Sequence, residues 1–467
     1  MNYEDFLKSK QYTYNSTGFE VSESDLNSNM FDFQKAIVKW ALKKGKCALF
    51  LDTGLGKTIC QLEFANQVCK HENGKALILA PLAVSKQTKQ EGEKFGINVN
   101  ICRSQADVKD GINITNYEML SHFDVKEFCC VVLDESSILK SFSGKYKKLI
   151  IDTFENTKYK LSCTATPSPN NVLELLNQAE FLSVMKSNEA LAIWFVADQN
   201  EAGAYRLKHH AEDDFWKWIS SWAVLVKTPS ELGFDDSGYV LPPLNEIDEI
   251  ISVDMTSTDS GRLLRKVEMS ATSFYKEKKI LTDDRVTKIA EIVNNSNEQF
   301  IIWCNTNEES AKLHKAIAGS VEVKGSDKPQ LKEDSANKFK QGDIRVLISK
   351  VSIFGYGLNF QNCTNCVFCG LNYSYEGYYQ AVRRLYRFGQ TKPVTVYRVI
   401  GTTERSILRV INDKYAKQLN MQKHLNKFVN SQILDEIYNT SHFIISEQSN
   451  AEIQFPSWLK SDEEEDC

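Results

Sequence analysis

Residues 47–58, Cys-Ala-Leu-Phe-Leu-Asp-Thr-Gly-Leu-Gly-Lys-Thr, join an apolar run to a loop with two glycines and a Lys-Thr pair. Glycines let backbone N–H groups curl around phosphate oxygens, and a helix opening just after them turns its partial positive end toward the anion. Cys47 to Leu51 reads as a strand and Ile59 to Lys70 as a helix, so the loop has the flanks this chemistry needs. Thr53, Gly54, Leu55 and Gly56 would wrap the phosphates, Lys57 would reach the β and γ phosphates, and Thr58 would hold Mg2+ through its hydroxyl. Leu51 stands where the longest form of the pattern has Gly, so the match is to the shorter Gly-x-Gly-Lys-Thr form. A second signal is Val131-Val132-Leu133-Asp134-Glu135, an apolar strand ending in two carboxylates. Asp134 at a strand's carboxyl end suits Mg2+, and Glu135 beside it can orient or deprotonate an attacking water. The pair of signals points to nucleotide hydrolysis.

The elements that must position these groups are short apolar runs alternating with helical periods, the rhythm of parallel α/β sheets. One set holds Cys47 to Leu51, Ala76 to Ala80, Ile112 to Thr115, Cys130 to Leu133 and Tyr159 to Cys163; a second holds Phe300 to Cys304, Arg345 to Ser349, Cys366 to Gly370 and Val394 to Ile400. Thr306 followed by Glu309 predicts a capping box opening a helix through Leu313 to Ala318. Between the sets the strand rhythm fades, and Phe215, Trp218, Ile219 and Trp222 fall on one face of a helix. The expected division is 1–178 for a first domain, 179–283 for a helical insertion and linker, 284–405 for a second domain, and 406–467 for a helical extension with an acidic tail.

Composition sets the limits. In 467 residues, 42% hydrophobic and 25% charged with only 9 Pro and 22 Gly describe a globular chain with a large core. No apolar run approaches the roughly 18–20 residues that span a bilayer, and the first ten residues carry two acidic and two basic side chains rather than a basic stretch followed by an apolar one, so no membrane partner and a cytoplasmic location are expected. The 12 cysteines read as reduced thiols. Net charge is −5, with five negatives in residues 462–466, so bulk charge does not advertise a nucleic-acid partner.

With these motifs in order, residues 30–405 resemble a superfamily 2 DNA helicase or translocase of the Swi/Snf-like branch. Phe33-Gln34 stands where that family has a Gln that reads adenine, which makes ATP the implied nucleotide. Leu77 to Gln87 and Thr115-Asn116-Tyr117-Glu118 resemble loops that touch a nucleic-acid backbone. Asp134-Glu135-Ser136-Ser137 stands at the acidic box, and Thr164-Ala165-Thr166-Pro167 at the motif coupling hydrolysis to movement. Gly355-Tyr356-Gly357-Leu358-Asn359-Phe360 looks like the Gly-rich loop facing ATP and nucleic acid, which implies that Gly357 and Asn359 help bind nucleotide. Gln380-Ala381-Val382-Arg383-Arg384-Leu385-Tyr386-Arg387-Phe388-Gly389-Gln390 looks like the arginine-finger helix, with Gln380 in coupling and Arg384 and Arg387 reaching the γ phosphate. The chain departs from the pattern at Ser137 and Tyr386, where His is usual, and at Arg383, where Asp is usual. Compactness between the two sets resembles helicases of bacteriophages or bacterial mobile elements.

The resemblance implies two tandem RecA-like parallel-sheet domains with a helical insertion and a helical C-terminal segment. It implies ATP and Mg2+ in the cleft, and double-stranded or branched DNA as the track. The work would be remodelling of forks, junctions or bound proteins, with a nuclease, a single-strand-binding protein or a replisome component as possible partners. An RNA or single-strand helicase, or an ATP-gated recruiting switch, are the alternatives. Lys86, Lys89, Lys350 and Lys392 adjoin motif loops and are candidate phosphate contacts. The Trp218 stripe reads as core rather than a strand-separating wedge. Cys363, Cys366 and Cys369 read as strand and turn residues rather than a metal site.

Overall fold

The structure, a computed structural model, describes residues 14–81, 84–140, 144–198, 204–252, 281–355 and 358–438. In chain order the first half runs α1 (Asp32–Lys44), β1 (Lys46–Leu51), α2 (Lys57–Glu72), β2 (Lys75–Ala80), α3 (Ser85–Lys94), β3 (Val99–Ile101), β4 (Gly111–Asn116), β5 (Phe128–Asp134), α4 (Lys145–Thr153), β6 (Tyr159–Cys163), α5 (Glu174–Phe181), α6 (Ser187–Trp194), β7 (Phe195–Ala197), β8 (Tyr205–Leu207), α7 (Glu212–Ser220) and β9 (Ala223–Val226). The second half runs β10 (Leu244–Ile251), α8 (Thr282–Asn294), β11 (Phe300–Cys304), α9 (Asn307–Ala316), β12 (Ser320–Val323), α10 (Pro329–Gln341), β13 (Val346–Lys350), α11 (Val351–Phe354), β14 (Asn365–Cys369), α12 (Tyr375–Val382), β15 (Val394–Gly401) and α13 (Arg405–Tyr438).

Two all-parallel sheets result, ordered β3-β4-β2-β5-β6-β1-β9 and β10-β15-β14-β11-β13-β12. They are the tandem RecA-like α/β domains expected from sequence. Parallel strands need crossover helices, which cover both faces and demand near-continuous apolar strands. Strand β11 shows the result: Ile301 and Trp303 enter one core, while Phe300, Ile302 and Cys304 enter the other. The capping box forms, with Glu309 N–H donating to Thr306 Oγ1 at 3.1 Å and Thr306 N–H to the Glu309 carboxylate at 2.9 Å.

The span 179–283 is less separate than the sequence suggests. Strand β9 pairs in parallel with β1 beside the phosphate loop, and β10 pairs in parallel with β15 at the edge of the second sheet. Both were illegible for a physical reason: β9 is four residues long, and β10 carries Glu246, Asp248 and Glu249 on an exposed edge. The tryptophans of this span are core. Trp194, Trp216, Trp218 and Trp222 are all buried, with Trp194 and Trp218 stacked at 4.4 Å. Cys363, Cys366 and Cys369 are buried too, and Cys363 Sγ donates to the carbonyl of Asn365 at 3.1 Å. Helix α13 starts in the second domain's core through Ile407 and Ile411, and its Phe428 packs into the first domain's. No helix among the described residues is long and apolar enough to cross a membrane. The acidic tail, residues 462–466, lies outside the described residues.

Candidate active site

The order β5-β6-β1 puts the strand that ends in Asp134 and the strand that feeds the phosphate loop on either side of β6. Thr164, at the carboxyl end of β6, therefore stands between them. A cleft of about 290 Å³ opens there, lined by Gln34, Thr53, Gly54, Gly56, Lys57, Thr58, Asp134 and Glu135 from the first domain. Gln380, Arg384, Arg387 and Phe388 line it from the second. Neither domain holds the whole set.

The loop is built for close approach. Gly54 and Gly56 have φ of 102° and 78°, in the left-handed region that favours glycine. A Cβ at Gly54 would come within 2.8 Å of Phe388 Cβ, and one at Gly56 within 2.2 Å of Gln34 Nε2. Gln34 is held by both ends: Nε2 donates to the Leu55 carbonyl at 3.0 Å, and Oε1 accepts from Phe31 N–H at 3.1 Å. Leu55 thus contributes its backbone, while its side chain is buried in the core. Lys57 Nζ donates to the Leu51 carbonyl at 3.0 Å at the base of the loop. An aromatic wall, missed in the sequence, closes the outer end, where Tyr239 and Phe388 lie 4.4 Å apart and Phe31 meets both edge-on.

Asp134 and Glu135 divide their tasks by environment. Burial pushes the Asp134 carboxyl up to about 6, the adjacent Glu135 adding to this and Lys57 opposing it. Tyr117 OH donates to the Asp134 carbonyl at 2.7 Å and fixes the strand end. A buried carboxylate and the Thr58 hydroxyl, lining one cleft, are hard oxygen donors of the kind that suits Mg2+. Glu135 has φ 60°, uncommon for a residue with a side chain, so its carboxylate is aimed by its partners. Thr164 Oγ1 donates to Oε1 at 2.5 Å, and Gln380 Nε2 reaches Oε2 at 3.5 Å from the other domain. Thr166 N–H donates to Thr164 Oγ1 at 3.0 Å, and Ala165 is nearly buried.

The two arginines are placed differently. Arg384 is buried and braced inside its own domain, donating to the Gln380 carbonyl at 3.1 Å, Gln380 Oε1 at 2.7 Å and the Leu358 carbonyl at 3.0 Å. Arg387 faces the cleft; burial draws its pKa down, with Glu91 opposing.

Other candidates fall elsewhere. Asn359 does not line the cleft, because its side chain is tied to Gln361 through contacts of 2.8 and 3.2 Å. Gly357 lies outside the described residues. Thr115 is only 2% exposed, so it cannot touch a polymer in this arrangement; it is the penultimate residue of β4, an interior strand between β3 and β2. Asn116 caps the turn after β4, accepting from Met119 N–H at 3.2 Å. Lys86 is exposed and pairs with Glu333 of the second domain at 2.8 Å, while Lys350 is half-buried at the end of β13.

The departures at Ser137 and Arg383 both make contacts between domains. Ser137 Oγ donates to Glu376 Oε1 at 2.7 Å, and Lys140 pairs with the other oxygen at 2.5 Å. Arg383 pairs with Asp52 at 2.7 Å. Only those departures could have pointed to these partners.

Fold and site define a cleft with a phosphate-binding type of loop, whose lining is completed by a second RecA-like domain. Residues 33–209 match the SNF2-related domain and residues 284–389 the helicase conserved C-terminal domain. The chain thus carries, in tandem, a match to an SNF2-related domain and a match to a helicase conserved C-terminal domain. It is similar to the DNA annealing helicase and endonuclease ZRANB3 of Mus musculus, 23% identical over 87% of this chain and 42% of that protein. The Homo sapiens ZRANB3 is also 23% identical, over 83% of this chain and 40% of that protein. A third relative, SWI/SNF-related matrix-associated actin-dependent regulator of chromatin subfamily A-like protein 1 of Xenopus tropicalis, is 19% identical over 84% of this chain and 45% of that protein. The chain therefore spans less than half the length of these curated relatives. Among solved structures, the Sulfolobus solfataricus SWI2/SNF2 ATPase core in complex with dsDNA aligns over 90% of this chain and 97% of that chain, at 18% identity and a TM-score of 0.42.

Proposed function

We propose that this protein is an ATP-driven DNA translocase or helicase that moves along duplex or branched DNA and remodels forks, junctions or bound proteins. The observation that carries the reading is the shared cleft: Lys57, Asp134 and Glu135 from one sheet face Gln380, Arg384 and Arg387 from the other across about 290 Å³. A site split between two bodies couples chemistry to their relative motion. ATP enters with its base toward Gln34 and the aromatic wall and its phosphates on the loop. Thr58 and Asp134 would hold Mg2+, which would supply charge neutralisation at the phosphates. Glu135, braced by Thr164 and Gln380, orients the water whose oxygen attacks the γ phosphorus as the bond to ADP breaks. Arg384 and Arg387 stabilise the charge of that transition state, as planar and permanently charged donors can. Lys57, Thr53, Gly54 and Gly56 cradle the phosphates, and Thr164 to Thr166 relay the state of Glu135 to the neighbouring loops.

The curated relatives with DNA in their names support DNA as the polymer. Lys86, Asn116 and Lys350 are the groups we assign to its backbone. The short span between the domains favours a bacteriophage or mobile-element origin and a cytosolic setting, with nuclease, single-strand-binding or replisome proteins as partners. The test is steady-state hydrolysis with no polymer, single-stranded DNA, duplex DNA, a branched junction and RNA. Duplex or junction DNA is expected to stimulate most, with Lys57→Ala and Glu135→Gln inactive and Glu135→Gln still binding ATP. Stimulation by RNA or single strands alone would overturn the DNA track, and activity retained in both variants would overturn the site.

A further inference from the structure

Asp52, the first residue after β1, carries its charge at the root of the phosphate loop. Its Oδ1 accepts the Thr53 N–H at 2.6 Å and also the hydroxyl of Tyr379 on α12. Its Oδ2 accepts from Arg383 Nη2 at 2.7 Å. The two charged side chains are only 11% and 18% exposed, so water screens the pair weakly. Arg383 is held on every side. Its guanidinium lies 5.1 Å from the Tyr379 ring centre and 5.5 Å from that of Tyr386, and Nη1 points at the Tyr386 carbonyl at 3.4 Å. This residue is the C-cap of α12, directly before Arg384 and four positions before Arg387.

Two physical consequences follow. Without Arg383, Asp52 would add negative charge, with Lys227 as a nearby cation, beside a loop that must receive a triphosphate. The ion pair cancels it, and does so only while the domains are together, because a hydrogen-bonded pair loses most of its strength once its partners separate and are hydrated. The pair also fixes where α12 sits relative to the phosphate loop, and hence where Arg384 and Arg387 meet the γ phosphate.

We propose that Asp52, Arg383 and Tyr379 are positioning residues, a latch that seats the end of α12, and with it the arginine-bearing turn that follows, on the phosphate loop and makes hydrolysis conditional on domain contact. The proposal rests on the reading of Arg384 and Arg387 as transition-state donors. Its test compares wild type, Asp52→Asn, Arg383→Gln, the double variant, and the charge exchange Asp52→Arg with Arg383→Asp, all with saturating polymer and with thermal melts to show that each is folded. Each single variant is expected to lower kcat about 30-fold and to leave the KM for ATP within about threefold, the loss typical of one partner of a desolvated pair. The double variant should also lose about 30-fold, not the roughly 1,000-fold of independent effects, and the exchange should regain at least tenfold over the weaker single variant. Without nucleotide, small-angle scattering should give a larger radius of gyration for each single variant than for wild type. Additive losses, or singles with unchanged kcat and radius of gyration, overturn the latch. A wild type that turns over no ATP would instead refute the hydrolysis reading, and the scattering comparison alone would then decide the latch.

Discussion

Thr164→Val tests how Glu135 is aimed. Valine keeps the shape of threonine and removes only the hydroxyl, which in this protein donates to Glu135 Oε1 at 2.5 Å and accepts from Thr166 N–H at 3.0 Å. A hydrogen bond to a charged acceptor is worth about 1.5–3 kcal/mol. Losing this contact removes one of the two side-chain partners of Glu135, the group proposed to orient the water. At about 1.4 kcal/mol per tenfold in rate, kcat should fall about 10- to 150-fold. The KM for ATP should stay within about threefold, since Gln34 and Lys57 make their contacts with Leu55 and Leu51 and none with Thr164. The orphaned Thr166 N–H should lower unfolding stability by about 1–3 kcal/mol. Phosphate release under saturating ATP and duplex DNA measures the first two quantities, and denaturant unfolding the third. Thr164→Ser restores the hydroxyl and should recover kcat to within about fivefold. A valine variant with wild-type kcat, or a serine variant as impaired as valine, would refute the reasoning.

Three further outcomes are expected. Lys86→Ala should leave domain closure intact, because the Lys86–Glu333 pair is exposed and such pairs contribute about 0–1 kcal/mol; it should weaken DNA binding across all sequences and flatten the dependence on log salt by about one unit, both measurable by fluorescence anisotropy. Trp218→Ala should lower unfolding stability by about 3–5 kcal/mol in a denaturant titration, since the ring is 1% exposed and stacked on Trp194, whereas a strand-separating wedge would lose unwinding without losing stability. Burial pulls Lys160 down to about 7 from an unfolded value near 10.5, so its contribution to stability is complete above about 10.5 and is lost as pH falls through 7; Lys160→Met should flatten unfolding stability against pH across that window.

The strands of both sheets were legible because a parallel strand covered on both faces must be apolar along its length, as Phe300–Cys304 and Phe128–Asp134 are. The phosphate loop and acidic strand end were legible because their chemistry lies within a few consecutive residues. What escaped notice depends on partners far apart in the chain. Nothing near Asp52 announces Arg383, and nothing near Ser137 announces Glu376. Phe31, Tyr239 and Phe388 form one wall from three segments, and each alone reads as an ordinary apolar residue. Thr115 and Asn359 failed as contacts because a motif match fixes chain position but not exposure. Thr115 is sealed inside β4, and Asn359 is occupied by Gln361.

Helix α13 has its opening turns embedded in one hydrophobic core and Phe428 in the other. Over 34 residues it is about 50 Å long at 1.5 Å per residue. A rod moored at both ends limits how the moorings can move. Wide separation of the domains must either bend the rod or pull Phe428 out of its socket. The helix therefore acts as a tether, and how far the cleft can open is limited by the span between its two moorings.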